Sequence, residues 1–290
     1  MDRYYDQCVE LANKLDPENI IVAQRLKRLP TIIGKLQRFK TMRLANMQDI
    51  AGIRIIVEDM KQLRKIEREI LGWENLHKVS NYLDGGPKPS GYRGKHFIMK
   101  DGDRLVEIQL RTQLQHLWAT SVETVDIYRG STMKTSGDNT YWHEFFYQTS
   151  SVFAFVENTV PGPRYNNLNI EDARNDLRKT IFVHNIYDTL EAIRLTNLVV
   201  ENEKIRQAYY IVINLDYAAK NCQVLDFKES EYDSAVSAYT RLERMSTGQN
   251  MVVLVAVNNI RNLQEIYPNY FMNLKDFSDI IRYILEKSNV

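Results

Sequence analysis

The chain has 290 residues, 44% of them hydrophobic and 26% charged, proportions that exclude disordered, collagen-like and coiled-coil chains. Thirty-eight basic residues against thirty-seven acidic ones leave a formal net charge of +1, a total that points to neither a nucleic-acid partner nor a membrane surface. The longest apolar runs, such as Met251 to Val257, fall far short of the roughly 20 residues of a membrane-spanning helix.

The chain opens Met1-Asp2-Arg3-Tyr4-Tyr5, without the basic and apolar segments of a secretory leader. Residues 1–24 read as a helical lead-in interrupted at Asp16-Pro17, and Ile32 to Phe39 has helical spacing. The β-branched run Gly52-Ile53-Arg54-Ile55-Ile56-Val57-Glu58 predicts a strand, and a charged amphipathic helix follows over 60–71. A turn-rich loop, Asp84 to Gly91, leads into a hairpin with strands Gly94–Lys100 and Arg104–Leu110. Asp101-Gly102 is its turn signal. A long helix over 113–128 comes next, then an aromatic, core-forming helix around Tyr141 to Phe146. Pro161-Gly162-Pro163 reads as a linker. Beyond it the pattern predicts a helix over 171–199, strands at Ala208–Leu215 and Cys222–Phe227, a helix over 229–246, a strand at Met251–Val257, and helices over 259–266 and 274–287. The expected architecture is α/β (α+β): a mixed-sheet domain flanked by helices over 1–160, a linker over 161–177, and a smaller α/β accessory region over 178–290. Cys8 and Cys222 are too few for a disulfide framework and read as free thiols of a cytoplasmic protein. The five histidines show no metal-ligand spacing.

Three constellations carry chemistry. Between Ile20 and Gln48 there is no acid, while Arg25, Lys27, Arg28, Lys35, Arg38, Lys40 and Arg43 all fall inside. Seven uncompensated cations make a local field whose natural counter-charge is a polyphosphate or a nucleic acid. Second, along the strand 104–110, Val106, Ile108 and Leu110 alternate with Leu105, Glu107, Gln109 and Arg111. One face seeks the core, and the other holds a row that is costly to bury unless it has a use. Asp49, just before strand 52–58, and Glu107 can converge on a divalent cation, since Mg²⁺ takes one or two carboxylates plus phosphate oxygens. Third, Pro87-Lys88-Pro89-Ser90-Gly91-Tyr92 offers glycine for close approach, a cation, and a flat ring for a base. Each signal alone is compatible with an ordinary solvated surface; it is their combination that favours a nucleotide site.

Taken in order, these segments resemble the synthetase domain of the RelA/SpoT family of (p)ppGpp alarmone synthetases. The matching stretches are Arg25-Leu26-Lys27-Arg28 with Lys35, then Asp49 to Arg54. Tyr82, Pro87 to Arg93 and His96 follow, and last come Glu107 to Thr112 and His116 to Thr120. The resemblance spans 20–130. It implies transfer of the β,γ-diphosphate of ATP to the 3′-hydroxyl of GDP or GTP, releasing AMP. It also implies that Arg25, Lys27, Lys35 and Arg54 bind ATP, that Asp49 and Glu107 hold Mg²⁺, and that Glu107 accepts the hydroxyl proton. Tyr92 would stack on the acceptor base, with Lys88 and His96 at its phosphates and Gln109 and Arg111 in support. The family's long members carry an N-terminal hydrolase domain, which the 24 residues before the first motif leave no room for, so no alarmone hydrolysis is expected. Ser121-Val122-Glu123-Thr124 and Tyr128-Arg129 depart from the Glu-His and Tyr-Lys of many relatives, and Ser80-Asn81 from their Lys-Asp. Two other readings stand beside the alarmone enzyme. One is a toxin-like pyrophosphokinase acting on the 3′-terminal adenosine of tRNA, with Arg38, Lys40 and Arg43 on tRNA phosphates. The other is an inactive nucleotide sensor. The C-terminal region is left as a regulatory, partner-binding or oligomerisation module.

Overall fold

The computed structural model describes residues 2–16, 18–26, 36–37, 43, 51–102, 104–131, 140–200, 208–216, 221–245, 250–256 and 273–287. The expected helices over 32–39 and 259–266 therefore lie largely or wholly outside the described residues. The chain divides into two compact units, each discontinuous: residues 1–116 with 150–173, and residues 117–149 with 174–290. The divisions fall at 116/117, 149/150 and 173/174. The segment expected as a linker contains a short 3-10 turn, Pro163–Tyr165, and the start of a helix.

The first unit opens with helix α1, Asp2–Leu15. The expected helical lead-in ends there, because residues Ile21–Leu26 form strand β1 instead. Asp16 closes the helix by donating its N–H to the Ala12 carbonyl (2.9 Å), and a residue before proline is disfavoured in helix. The β-branched Ile21 and Val22 then pair with β2, Ala51–Val57. Helix α2, Met60–Leu71, is capped by Asp59, whose side chain accepts from the Gln62 N–H. Strand β3, Leu76–Asn81, was not evident from the sequence. With two apolar residues in six, and four positions exposed, it has little pattern of its own and exists as the partner of β4. Strands β4, Lys95–Asp101, and β5, Arg104–Thr112, form the expected hairpin.

The five strands run in the order β1-β2-β5-β4-β3. The β2–β5 pair is parallel and the others are antiparallel, so the sheet is mixed. On one face Ile53, Ile55, Phe97, Met99, Val106, Ile108 and Leu110 form a core with Tyr4, Cys8 and Leu11 of α1 and Leu63, Ile66 and Ile70 of α2. Burial pushes the Cys8 thiol up to about 12, as desolvation disfavours the thiolate. Because strand side chains alternate, packing this face commits the intervening residues to the other one.

From β5 the chain enters α3, Gln113–Ser131, and α4, Thr140–Val156. In the second unit Trp118, Trp142, Phe145 and Phe146 pack with Phe277, and the Trp118 indole N–H donates to the Phe146 carbonyl (2.8 Å). The helix expected over 171–199 is two helices, α5 (Ile170–Val183) and α6 (Ile186–Val200). They break at Asn185, whose φ of 48° is a left-handed conformation that asparagine tolerates at a helix end. Strands β6 (Tyr210–Asp216), β7 (Asn221–Phe227) and β8 (Asn250–Ala256) make an antiparallel sheet of order β7-β6-β8. Helix α7, Tyr232–Met245, buries Ala235, Ala238 and Tyr239 against Val212 and Leu254. Helix α8, Asn273–Glu286, ends the described chain. Among the described residues no helix is long and apolar enough to cross a membrane.

Candidate functional site

The sheet face away from the α1/α2 core carries the row expected from the alternation of β5. Register sets its neighbours: Glu107 lies opposite Gly52 on β2 and Ile98 on β4, and Gln109 lies opposite Arg54 and His96. Arg25 on β1 is in register with Gly52, one strand from Glu107. Lys27, Lys35 and Asp49 lie outside the described residues, as do Arg28, Arg38 and Lys40.

Donor counting orients the network. The Tyr92 hydroxyl accepts from Arg111 Nε (3.1 Å) and Nη2 (2.9 Å), which fills both of its lone pairs. Its own O–H is therefore given to His96 Nε2 (2.5 Å). With Nε2 accepting, the His96 hydrogen sits on Nδ1, where it is donated to Glu107 Oε1 (2.8 Å). A second path runs from Arg111 Nη2 to Gln109 Oε1 (2.9 Å) and from Gln109 Nε2 to Glu107 Oε2 (2.7 Å). Both paths lead from a guanidinium to one carboxylate, and each fixes a side chain that sequence alone left free to rotate. Arg111 is 4% exposed and Glu107 9%. Arg111 Nη1 is buried with no hydrogen-bond partner among the described residues, so this donor is available to an anionic oxygen. A buried guanidinium N–H left unmatched is costly.

The loop before β4 completes the face. The Tyr82, Tyr92 and His96 rings meet edge to face at 5.4–5.9 Å. Lys88 Nζ lies 4.4 Å from the Tyr82 ring centre and 5.0 Å from that of Tyr92, in cation–π range. Burial raises the Tyr92 phenol above its ordinary value, against the pull of Arg111. Gly94 has φ of +147°, and a Cβ there would stand 3.2 Å from both Arg111 Cγ and the Tyr92 hydroxyl. Only glycine lets the chain pass this close to the row.

Two residues of this face, Tyr82 and His116, are motif positions to which the sequence assigns no role. Tyr82 carries the nearer cation–π contact of Lys88. His116, in the first turn of α3, is pushed down to about 3 by burial and then by the charges of Arg54 and Arg111. Its folded-state value is depressed, so the unfolded chain binds the extra proton between pH 6.5 and about 3. Stability is then fully present above 6.5 and falls as pH falls through that window, at about 1.4 kcal/mol per pH unit at most. His116→Gln is expected to flatten this slope in denaturant melts taken from pH 7 to 4. A slope equal to the parent's would remove His116 as its source.

A mixed α/β domain whose sheet presents a row of buried carboxylate and guanidinium with a half-buried amide and imidazole, beside a glycine-rich aromatic loop, has a face suited to a polar, anionic ligand. Residues 24–132 match the family model described as the region found in RelA / SpoT proteins. An uncharacterized protein of Mycobacterium tuberculosis is 32% identical over 105 residues, covering 36% of this chain and 38% of its own length. The GTP pyrophosphokinase YwaC of Bacillus subtilis is 32% identical over 112 residues, covering 33% of this chain and 52% of its own. The chain thus spans about half or less of these relatives. Among solved structures, small alarmone synthetase 1 of Bacillus subtilis bound to pppGpp matches with TM-score 0.42 and 22% identity, over 54% of this chain and 92% of that one.

Proposed function

We propose that the chain transfers the β,γ-diphosphate of ATP to the 3′-hydroxyl of GDP or GTP. The observation that carries this is the pairing of a held carboxylate, Glu107, with the unsatisfied buried donor Arg111 Nη1 on one strand of the RelA/SpoT region. The relatives named GTP pyrophosphokinases support the reaction class. Phosphoryl transfer asks a protein mainly for positioning and charge neutralisation. Here Glu107 takes the proton of the attacking 3′-hydroxyl, whose oxygen bonds to the β-phosphorus as the bond to the α-phosphate oxygen breaks and AMP leaves. His96 and Gln109 aim the carboxylate. Arg111, with Arg54 in the next strand, bears on the transferred phosphates, and Tyr92 and Lys88 meet the acceptor. Arg25, Lys27 and Lys35 are assigned to ATP.

Glu107 accepts from His96 at Oε1 and from Gln109 at Oε2. As a hard donor it suits Mg²⁺, with Asp49 as the second carboxylate. No cluster of three His, Cys, Asp or Glu is present among the described residues, and Mg²⁺ shared with phosphate oxygens does not require one. When bound, Mg²⁺ would neutralise charge on the β- and γ-phosphate oxygens.

The test is to incubate the protein and Mg²⁺ with γ-labelled ATP and GDP, GTP or bulk tRNA. Label is expected on the guanosine nucleotide. Label on tRNA alone would replace the acceptor with a tRNA 3′ end, and label on none would leave a nucleotide-binding domain without transfer.

A further inference from the structure

The loop from Tyr82 to Gly94 carries the aromatic and cationic groups assigned above to the acceptor. Its own backbone closes at the base, where Tyr82 N–H donates to the Gly94 carbonyl (3.0 Å), at a turn where Gly86 N–H donates to that of Leu83 (3.3 Å), and at the tip, where Gly91 N–H donates to the Lys88 carbonyl (2.8 Å) and Lys88 N–H to that of Tyr92 (3.0 Å). Side chains outside the Glu107 row add tethers near its two ends.

At the leading end, Asp84 gathers three elements. It accepts from Arg64 of α2 (Nη1, 2.9 Å, and Nη2), from Asn81 Nδ2 of β3 (2.7 Å) and from Lys95 Nζ of β4 (3.0 Å). Lys95 is 1% exposed and is shared between Asp84 and Glu67, so a buried ammonium on the core side of β4 is neutralised partly by the first turn of the loop. The Arg64 guanidinium holds the Asp84 carboxyl well below the usual carboxylate range. At the trailing end, the Ser150 hydroxyl of α4 donates to the Gly91 carbonyl (2.5 Å). Arg93, one residue past Tyr92, pairs with Glu157 (2.6 Å) and donates to Thr159.

We propose that Asp84 and Ser150 are positioning residues that hold the loop in its acceptor-binding shape before any substrate arrives. The inference rests on the acceptor reading of Tyr92 and Lys88. Its consequence is selective, because the tethers grip the loop and not β1 or β2, where the ATP groups Arg25 and Arg54 are placed. Loosening either tether should therefore weaken the acceptor and spare ATP. Small displacements matter here: about 1 Å of misplacement can cost on the order of 10²-fold in rate.

The variants are Asp84→Asn and Ser150→Ala. Asp84 is 45% exposed on its side chain, and in its absence Lys95 keeps Glu67, so the fold tolerates the change. In the full chain, Asp84→Asn is expected to raise KM for GDP about tenfold while KM for ATP stays within about twofold. Ser150→Ala should do the same to a smaller degree. Amide hydrogen exchange of residues 85–92, measured on the free protein, should accelerate by about tenfold in Asp84→Asn, with β2 and α2 unchanged. A uniformly structural role would instead move both KM values together. The proposal is overturned if exchange of 85–92 stays within about twofold of the parent in both variants. It is equally overturned if exchange quickens but KM for GDP does not move, or if KM for ATP rises in step. Should the parent protein transfer to no acceptor, the functional reading fails and the exchange measurement alone decides whether the tethers shape the loop.

Discussion

Glu107→Gln should slow AMP release by about 10³-fold, within the range associated with losing a positioned proton acceptor, while KM for ATP changes by less than about threefold. The substitution conserves shape and removes the carboxylate charge on which both proposed roles of Glu107, proton acceptor and Mg²⁺ ligand, depend. It also disturbs its neighbours in a calculable way. His96 Nδ1 and Gln109 Nε2 both donate to Glu107, and an amide offers one oxygen where there were two. One donor is left facing an NH₂, at a local cost of about 1–3 kcal/mol. A fall in rate with an unchanged unfolding midpoint would thus be unusual; a fall far beyond what the lost stability accounts for, and not relieved by added Mg²⁺, identifies the proton acceptor. A variant with near-parental turnover would mean that Glu107 is not the base.

The second large effect concerns stability. Glu157→Ala should cost about 3–5 kcal/mol, the range for breaking a buried ion pair from one side. The side chains of Arg93 and Glu157 are 3% and 6% exposed. Burial already presses the Arg93 guanidinium below its ordinary value, and Glu157 is what opposes it. Arginine does not shed its proton in proteins, so removing the carboxylate strands a charge. It also deprives the Thr112 hydroxyl and Gln115 Nε2 (3.0 Å) of their acceptor. Urea unfolding should show a lower midpoint with an unchanged slope. The double substitution Glu157→Leu/Arg93→Met should be more stable than Glu157→Ala, because both charges leave together. A single variant within about 1 kcal/mol of the parent would show that water reaches this pair.

Much of the site was legible where local pattern and chemistry coincide. The alternation in Arg104 to Thr112 committed Val106, Ile108 and Leu110 to the core, and so placed Glu107, Gln109 and Arg111 together on the opposite face. The Asp-Gly turn joined β4 to β5 and brought His96 level with Gln109. What stayed hidden depended on partners distant in sequence. Strand β3 has no apolar alternation and is held by β4. Residues 21–24, helical by local pattern, are strand because β2 supplies their pairing. His96, assigned to acceptor phosphates by resemblance, is bonded to Glu107 and Tyr92; that bond follows from strand register and rotamer together.

The near-neutral total charge said nothing about where charge acts. The sequence by itself determined which residue types could meet a nucleotide and on which strand face they would stand, because a period of two and a buried apolar face leave no alternative. Only the tertiary structure decided how they are held. Tyr92 is fixed by Arg111 and His96, and its loop by Asp84, Ser150 and the Arg93–Glu157 pair. Those contacts join residues as distant in sequence as Arg93 and Glu157, and no local propensity encodes them. They form when the folded sheet and helices bring the partners together out of water, where an unmatched charge or donor is too costly to keep.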